Sequence, residues 1–274
     1  GRNVTLGQYI PRRSPLHELD PRTKIIGWIV LAIGMFFTGS YAGMILLGLV
    51  VLALIPLARL PSSYVLRGVL PMLPFLAVIY VFQLLFSGSL YPGAEDVLWR
   101  FWIFEINAEG LRASTLVIIR VIVLYLSVTV LTLVTSIVML VDGAERLTKP
   151  LRRLGVPNQE LAMVAAISVR FVPTLIQEAE KLMKAQMARG AELETGNVIK
   201  KTRARIPVFI PLFINTLRRA GELSTAMEAR CYRGGEGRTK RRRLEMTAAD
   251  WGALGFAVVI TLVVVVVPDL MVVP

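Results

Sequence analysis

Four stretches of this chain hold no charged residue: Ile25 to Ala58, Gly68 to Ala94, Val121 to Val141 and Trp251 to Pro268. Uncharged apolar runs of about 18 residues or more are long enough, as helices, to cross a hydrocarbon core about 30 Å thick. The first run is too long for one crossing. A single helix over it would be roughly 51 Å long, so a break is expected at TGSYAG, Thr38 to Gly43. The pattern therefore predicts five spans. Two come from the first run, a third covers roughly Val69–Phe86 with Pro71 and Pro74 bending its start, a fourth about Ala113–Val134, and a fifth about Ala248–Val267.

The segment between spans four and five has a different period. Leu140, Ala144, Leu147, Leu151 and Leu154 recur every three or four residues, the spacing of an amphipathic helix. A second stripe runs through Leu161, Val164, Ser168, Phe171, Leu175, Ala179, Leu182 and Gln186, with Pro173 inside it as an expected kink. A third begins after Pro207 and carries Ile210, Ile214, Leu217, Gly221, Ser224 and Glu228. Neither long helix reads as apolar enough around its circumference to span, so both are expected to lie along or beneath the membrane. The fold class is thus an all-α polytopic membrane protein of about five transmembrane helices plus a cytoplasmic module. Its expected divisions are residues 1–134, 135–247 and 248–274.

Charge adds orientation. Of the whole chain's net +12, the segment from Asp142 to Glu245 supplies +10, with 21 Lys and Arg against 11 Asp and Glu. Arg2, Arg12, Arg13, Arg22 and Lys24 precede span one, Arg59 and Arg67 follow span two, and residues 88–110 are acidic on balance. The excess of Lys and Arg in cytoplasmic loops then puts the N-terminus inside and the C-terminus outside the cell membrane. RTKRRR, Arg238 to Arg243, abuts the last span and reads as an anchor to anionic lipid, not as a nucleic-acid site.

Catalytic patterns are missing. GAELETGNVIKKT, Gly190 to Thr202, has five residues between its glycines and Asn197 where a phosphate loop needs lysine. With His17 the only histidine and Cys231 the only cysteine, the chain has no zinc-protease motif, no internal disulfide and no expected metal or cofactor. The uncharged runs carry no carboxylate pair. His17 and Asp20 read as an N-terminal turn held by side-chain hydrogen bonds. The chain is not expected to be an enzyme.

Two short stretches look alike: AQMARGAEL, with Ala188, Arg189 and Gly190, and AMEARCYRGG, with Ala229, Arg230 and Cys231. An arginine in the last turn of a helix is favoured by the helix dipole, by roughly 0.3–1 kcal/mol. Two copies, each closing an amphipathic helix, point instead to a planar fork of donors aimed at a partner's carboxylate.

With SPLHELDPRTKI (Ser14 to Ile25) and ISVRFVPTL (Ile167 to Leu175) added to these motifs, nearly the whole chain resembles the transmembrane T component of energy-coupling factor (ECF) vitamin and metal importers, the cobalt-permease-like family. The second motif departs from the family in carrying Cys231 where glycine is commoner. The resemblance implies that two cytosolic ABC-type ATPase subunits bind and hydrolyse ATP and that a small membrane S component captures the substrate. It implies that Ala188, Arg189, Gly190, Ala229, Arg230 and Cys231 dock the ATPases, and that the two long helices cross. Arg120 is a possible functional charge inside span four, or a side chain reaching outward to Glu105 or Glu109. A stand-alone channel or secondary transporter is the alternative reading.

Overall fold

The computed structural model describes residues 12, 14–86, 97–101, 104–150, 158–191, 198–232 and 246–271. The chain separates into two compact units, Gly1–Ala144 with Leu244–Pro274, and Glu145–Arg243. Arg238 to Arg243 lie outside the described residues.

The first unit begins with a short helix, α1 (Pro15–Glu18), started by Ser14, whose Oγ lies 2.6 Å from His17 Nδ1. Asp20 then caps α2 (Pro21–Phe37), accepting from the Arg22 amide at 2.9 Å. These side-chain hydrogen bonds form the N-terminal turn that the sequence suggests. The expected break in the first apolar run falls at Thr38–Ser40, before α3 (Tyr41–Leu57). Span three starts earlier than predicted: α4 (Ser62–Arg67) leads through a 3₁₀ turn at Leu70–Met72 into α5 (Leu73–Leu85). Pro71 sits in that tight turn and Pro74 in the first turn of α5, where a missing N–H costs little.

A two-stranded antiparallel hairpin follows, β1 (Val97–Phe101) with β2 (Phe104–Asn107), pairing Trp99 with Ile106 and Phe101 with Phe104. It is a small addition to an otherwise helical architecture. The fourth span, α6 (Ala108–Val134), starts before the predicted Ala113. Then come α7 (Ile137–Leu147) and, closing the unit, α10 (Ala248–Met271). The core gathers Leu31 and Met35 of α2, Leu47 and Val51 of α3, Val123 and Leu126 of α6, and Val264 of α10.

Close approach decides two glycines. A Cβ at Gly43 would lie 2.7 Å from Thr38 Oγ1 and 2.9 Å from Val264 Cγ1, and one at Gly34 3.0 Å from Thr261. Thr38 Oγ1 donates to the Val264 carbonyl at 3.0 Å, so the α2–α3 turn is tied to the last helix at one end of the bundle.

The other end is tied by Asp250. Thr247 and Asp250 form a capping box on α10, with Asp250 Oδ2 accepting from the Thr247 amide at 2.8 Å and hydroxyl at 2.7 Å. Asp250 Oδ1 also accepts from the Asp20 amide at 2.8 Å, while the Asp20 carboxylate holds Arg22. Beside them Lys24, the last charge before the uncharged run, is buried and donates to the carbonyls of His17 at 3.0 Å and Val134 at 3.5 Å.

The second unit holds α8 (Asn158–Ala188) and α9 (Val198–Ala229). Helix α8 passes through Pro173 without a break. Helix α9 starts before the predicted Pro207 and contains both Pro207 and Pro211. Spaced one turn apart, the two prolines remove hydrogen bonds from nearly the same face and leave the opposite face intact. The expectation that neither long helix is apolar enough to span fails for α8. Glu160–Ala188 meets the length and hydropathy of a span, as do Ser62–Leu85, Ala108–Val134 and Ala248–Val266. The charges of α8 crowd after Glu178, leaving only Glu160 and Arg170 in its first half.

Replacing Asp250 with alanine strands the buried Asp20 amide and removes the α10 cap. The expected cost is about 3 kcal/mol, read as a lower melting temperature of the detergent-solubilised protein. Unchanged melting would show that this end of the bundle does not depend on Asp250.

Candidate functional site

The two alanine-arginine motifs end their helices by the same backbone device. At the end of α8 the Gly190 amide donates to the Met187 carbonyl at 2.9 Å and the Ala191 amide to Gln186 at 3.0 Å. At the end of α9 the Cys231 amide donates to Glu228 at 2.9 Å and the Tyr232 amide to Met227 at 3.0 Å. Both are left-handed C-caps. Each arginine is therefore the cap residue itself, and the small residue after it holds positive φ, +85° at Gly190 and 57° at Cys231.

This explains the small residue in physical terms. Left-handed backbone is free for glycine but costs an L-residue roughly 1–2 kcal/mol. Cys231 adopts the geometry that a glycine would, at a conformational cost. Helix α3 ends the same way with Arg59 at φ 55°, but there the arginine occupies the left-handed position, one residue later than in the paired motifs.

Ala188, Arg189 and Gly190 are exposed, as are Ala229, Arg230 and Cys231. Among the described residues no hydrogen bond or ion pair to either guanidinium is recorded. The backbone fixes the root of each arginine and leaves its fork open.

Between the tips the helices meet at a polar contact that the periodicity did not reveal. Glu178 of α8 accepts from Asn215 Nδ2 at 2.9 Å and pairs with Arg219 at 3.3 Å, both on α9. A cavity of about 520 Å³ beside it is lined by Met183 and Met187 of α8 and by Arg205, Val208 and Leu212 of α9. Residues later in α8 thus face residues earlier in α9, so the two helices run antiparallel where they touch. From Glu178, Arg189 is roughly 16 Å along α8, and from Arg219 and Asn215, Arg230 is roughly 16 to 22 Å along α9, in opposite directions. By contrast, the Arg218–Glu222 pair spans 3.9 Å with side chains 74% and 71% exposed, which contributes little. The stripe Ile206, Phe209, Ile210, Phe213, Ile214 and Leu217 on α9 is exposed in the chain.

Arg120 reaches neither the lipid nor a carboxylate along the hydrogen bond that the structure records. Its Nη2 donates to the Thr38 carbonyl at 2.8 Å, placing a cation on the C-cap of α2, where the helix dipole favours it. A search for side-chain partners alone could not find this contact, because the acceptor is backbone.

A family model described as cobalt transport protein (CbiQ) matches residues 12–241. The energy-coupling factor transporter transmembrane protein EcfT of Heliobacterium modesticaldum is 44% identical over 250 residues, covering 91% of this chain and 92% of the relative. The protein of the same name from Thermosediminibacter oceani is 42% identical over 252 residues, covering 92% and 93%. That of Bacillus subtilis is 36% identical over 248 residues, covering 90% and 92%.

Cys231→Gly is expected to stabilise the second tip by about 1 kcal/mol and Gly190→Ala to destabilise the first by a similar amount. Amide hydrogen exchange in the last turns of α8 and α9 measures both. Slower exchange at α9 in the first variant and faster exchange at α8 in the second are the expected signs.

Proposed function

Because the chain belongs to the CbiQ cobalt transport protein family and is the transmembrane T component of an ECF transporter, we propose that it couples two cytosolic ABC-type ATPase subunits to a substrate-capturing S component. The chain itself catalyses nothing, and its partners bind and hydrolyse ATP. The observation that carries this reading is the pair of open guanidinium forks on identical caps at opposite ends of the α8–α9 hairpin.

In this reading each tip enters a groove on one ATPase subunit, and Arg189 and Arg230 pair there with carboxylates. The left-handed caps matter because they hold each arginine at a fixed exit angle, so less side-chain freedom is lost on docking. Closure of the ATPases on ATP then moves the tips, and the Glu178 contact with Asn215 and Arg219 carries that displacement between the helices. Pro173 in α8 and Pro207 and Pro211 in α9 lie inside their helices, and in this reading they are the points at which the helices flex as the tips move. The exposed apolar stripe of α9 is the face that the S component or the membrane covers. Although α8 is long and apolar enough to span, in this reading it lies along the inner face of the membrane, so the coupling module, residues 135–247, stays on the cytoplasmic side, with the N-terminus inside and the C-terminus outside. Arg238 to Arg243 hold its last segment to anionic lipid.

The alternative of a channel or secondary transporter acting alone draws no support from Arg120, which serves the α2 C-cap.

Co-purification of the tagged protein from native membranes tests the coupling role. Wild type is expected to bring down two ATPase chains and a small membrane protein. Arg189→Glu/Arg230→Glu is expected to lose the ATPases, since breaking a buried charge pair costs about 2 kcal/mol or more, at least roughly thirtyfold in affinity. Retention of the ATPases by the double variant would refute tip docking.

A further inference from the structure

The bundle of the first unit contains a cavity of about 380 Å³ at the end where α2 and α10 begin and α3 and α6 finish. Its walls are almost wholly apolar, and the polar exceptions gather at that end of the bundle. Lys24 and Thr135 both line it, 8% and 1% exposed. Thr135 Oγ1 is buried without a hydrogen-bond partner among the described residues. The recorded hydrogen bonds of Lys24 Nζ go to backbone carbonyls alone, one of them long. Asp20 and Asp250 are near, but Asp20 is committed to Arg22, and Asp250 to Thr247 and the Asp20 amide. Arg12, donating to the Arg59 carbonyl just beyond α3, adds to the basic character of this end.

Two glycines keep the cavity open. Gly27 of α2 and Gly252 of α10 both line it, and a Cβ on either would meet nothing within 4 Å. Glycine is disfavoured inside a helix, and neither position has the positive φ or the close neighbour that would require it. What these glycines supply is room. Gly252 and Phe256 are themselves exposed, so the room opens sideways, toward the surface that faces the membrane.

We infer that this cavity is a lipid site, which takes one acyl chain of an anionic phospholipid between α2, α3, α6 and α10 and places its headgroup oxygens against Lys24 Nζ and Thr135 Oγ1. Charge complementarity selects this occupant over a helix of a partner protein. An apolar helix would leave the Thr135 hydroxyl without a partner and bring no anion to the ammonium, whose recorded bonds go to backbone carbonyls, and a headgroup oxygen satisfies both. The site is separate from the arginine tips and does not rest on the coupling role.

The test uses the full-length protein purified in mild detergent and exposed to vesicles of phosphatidylglycerol or of phosphatidylcholine. Lipid retained per chain is then counted by native mass spectrometry. Wild type is expected to keep one phosphatidylglycerol, preferred over phosphatidylcholine by roughly fivefold, the scale of one lysine near an anionic surface. Gly27→Leu/Gly252→Leu fills the cavity, improves helix propensity and is expected to lose the retained lipid while staying monodisperse. Lys24→Gln is expected to keep a lipid but lose the preference. Because Lys24 also holds two carbonyls, the glycine pair decides the matter if that variant fails to fold. Equal retention by wild type and the leucine pair, no preference in wild type, or a photocrosslinker at position 27 that labels a protein and not a lipid would each overturn the site.

Discussion

The first unit is held shut by one carboxylate. Asp250 satisfies the start of the last helix and the amide of Asp20 at the head of the first long one, positions 230 residues apart in the chain. Everything between them must return to this point for the bundle to close. The Thr38 hydroxyl makes the matching closure at the other end, on the Val264 carbonyl, and Arg120 adds its cation to the same turn. Between these ties the apolar core needs no polar contact beyond a few side chains such as Trp28 and Ser127, 3.2 Å apart. A membrane-spanning bundle gains little from hydrophobic burial against lipid, so small residues and well-placed polar bonds fix the helix positions. Gly34 and Gly43 show the packing side of that rule.

The second unit follows a different logic. Among the described residues its only buried hydrophobic residue of the core class is Val208, and its two helices touch through a polar cluster beside a cavity. Such a hairpin has little internal packing to resist deformation. Its apolar residues look outward, which is the condition of a part that acquires its rigidity from what it binds. One chain thus combines a well-packed bundle with a loosely packed hairpin.

Much of this was legible in the sequence, because uncharged runs and amphipathic periods are local signals. The break at Thr38, the helical class and the twin arginine motifs all follow from neighbours in the chain. The misses have a common cause. Arg120 and Lys24 find backbone carbonyls, Asp20 finds Asp250, and Glu178 finds Asn215 and Arg219 across a gap of 37 residues or more. No periodicity encodes such contacts. The small residue after each arginine was visible as a pattern, but its reason, a left-handed turn, belongs to the backbone. Helix α8 was misjudged because its average polarity hides an apolar first half and a charged second half.

The place where α8 and α9 touch is not midway between their tips. The contact runs from Glu178 to Met187 on α8 and from Arg205 to Arg219 on α9, so its centre lies roughly 10 Å from Arg189 and roughly 27 Å from Arg230 along the two helices. A lever with unequal arms treats its two ends differently, so one rotation about the contact sweeps Arg230 through the larger arc and gives Arg189 the greater force.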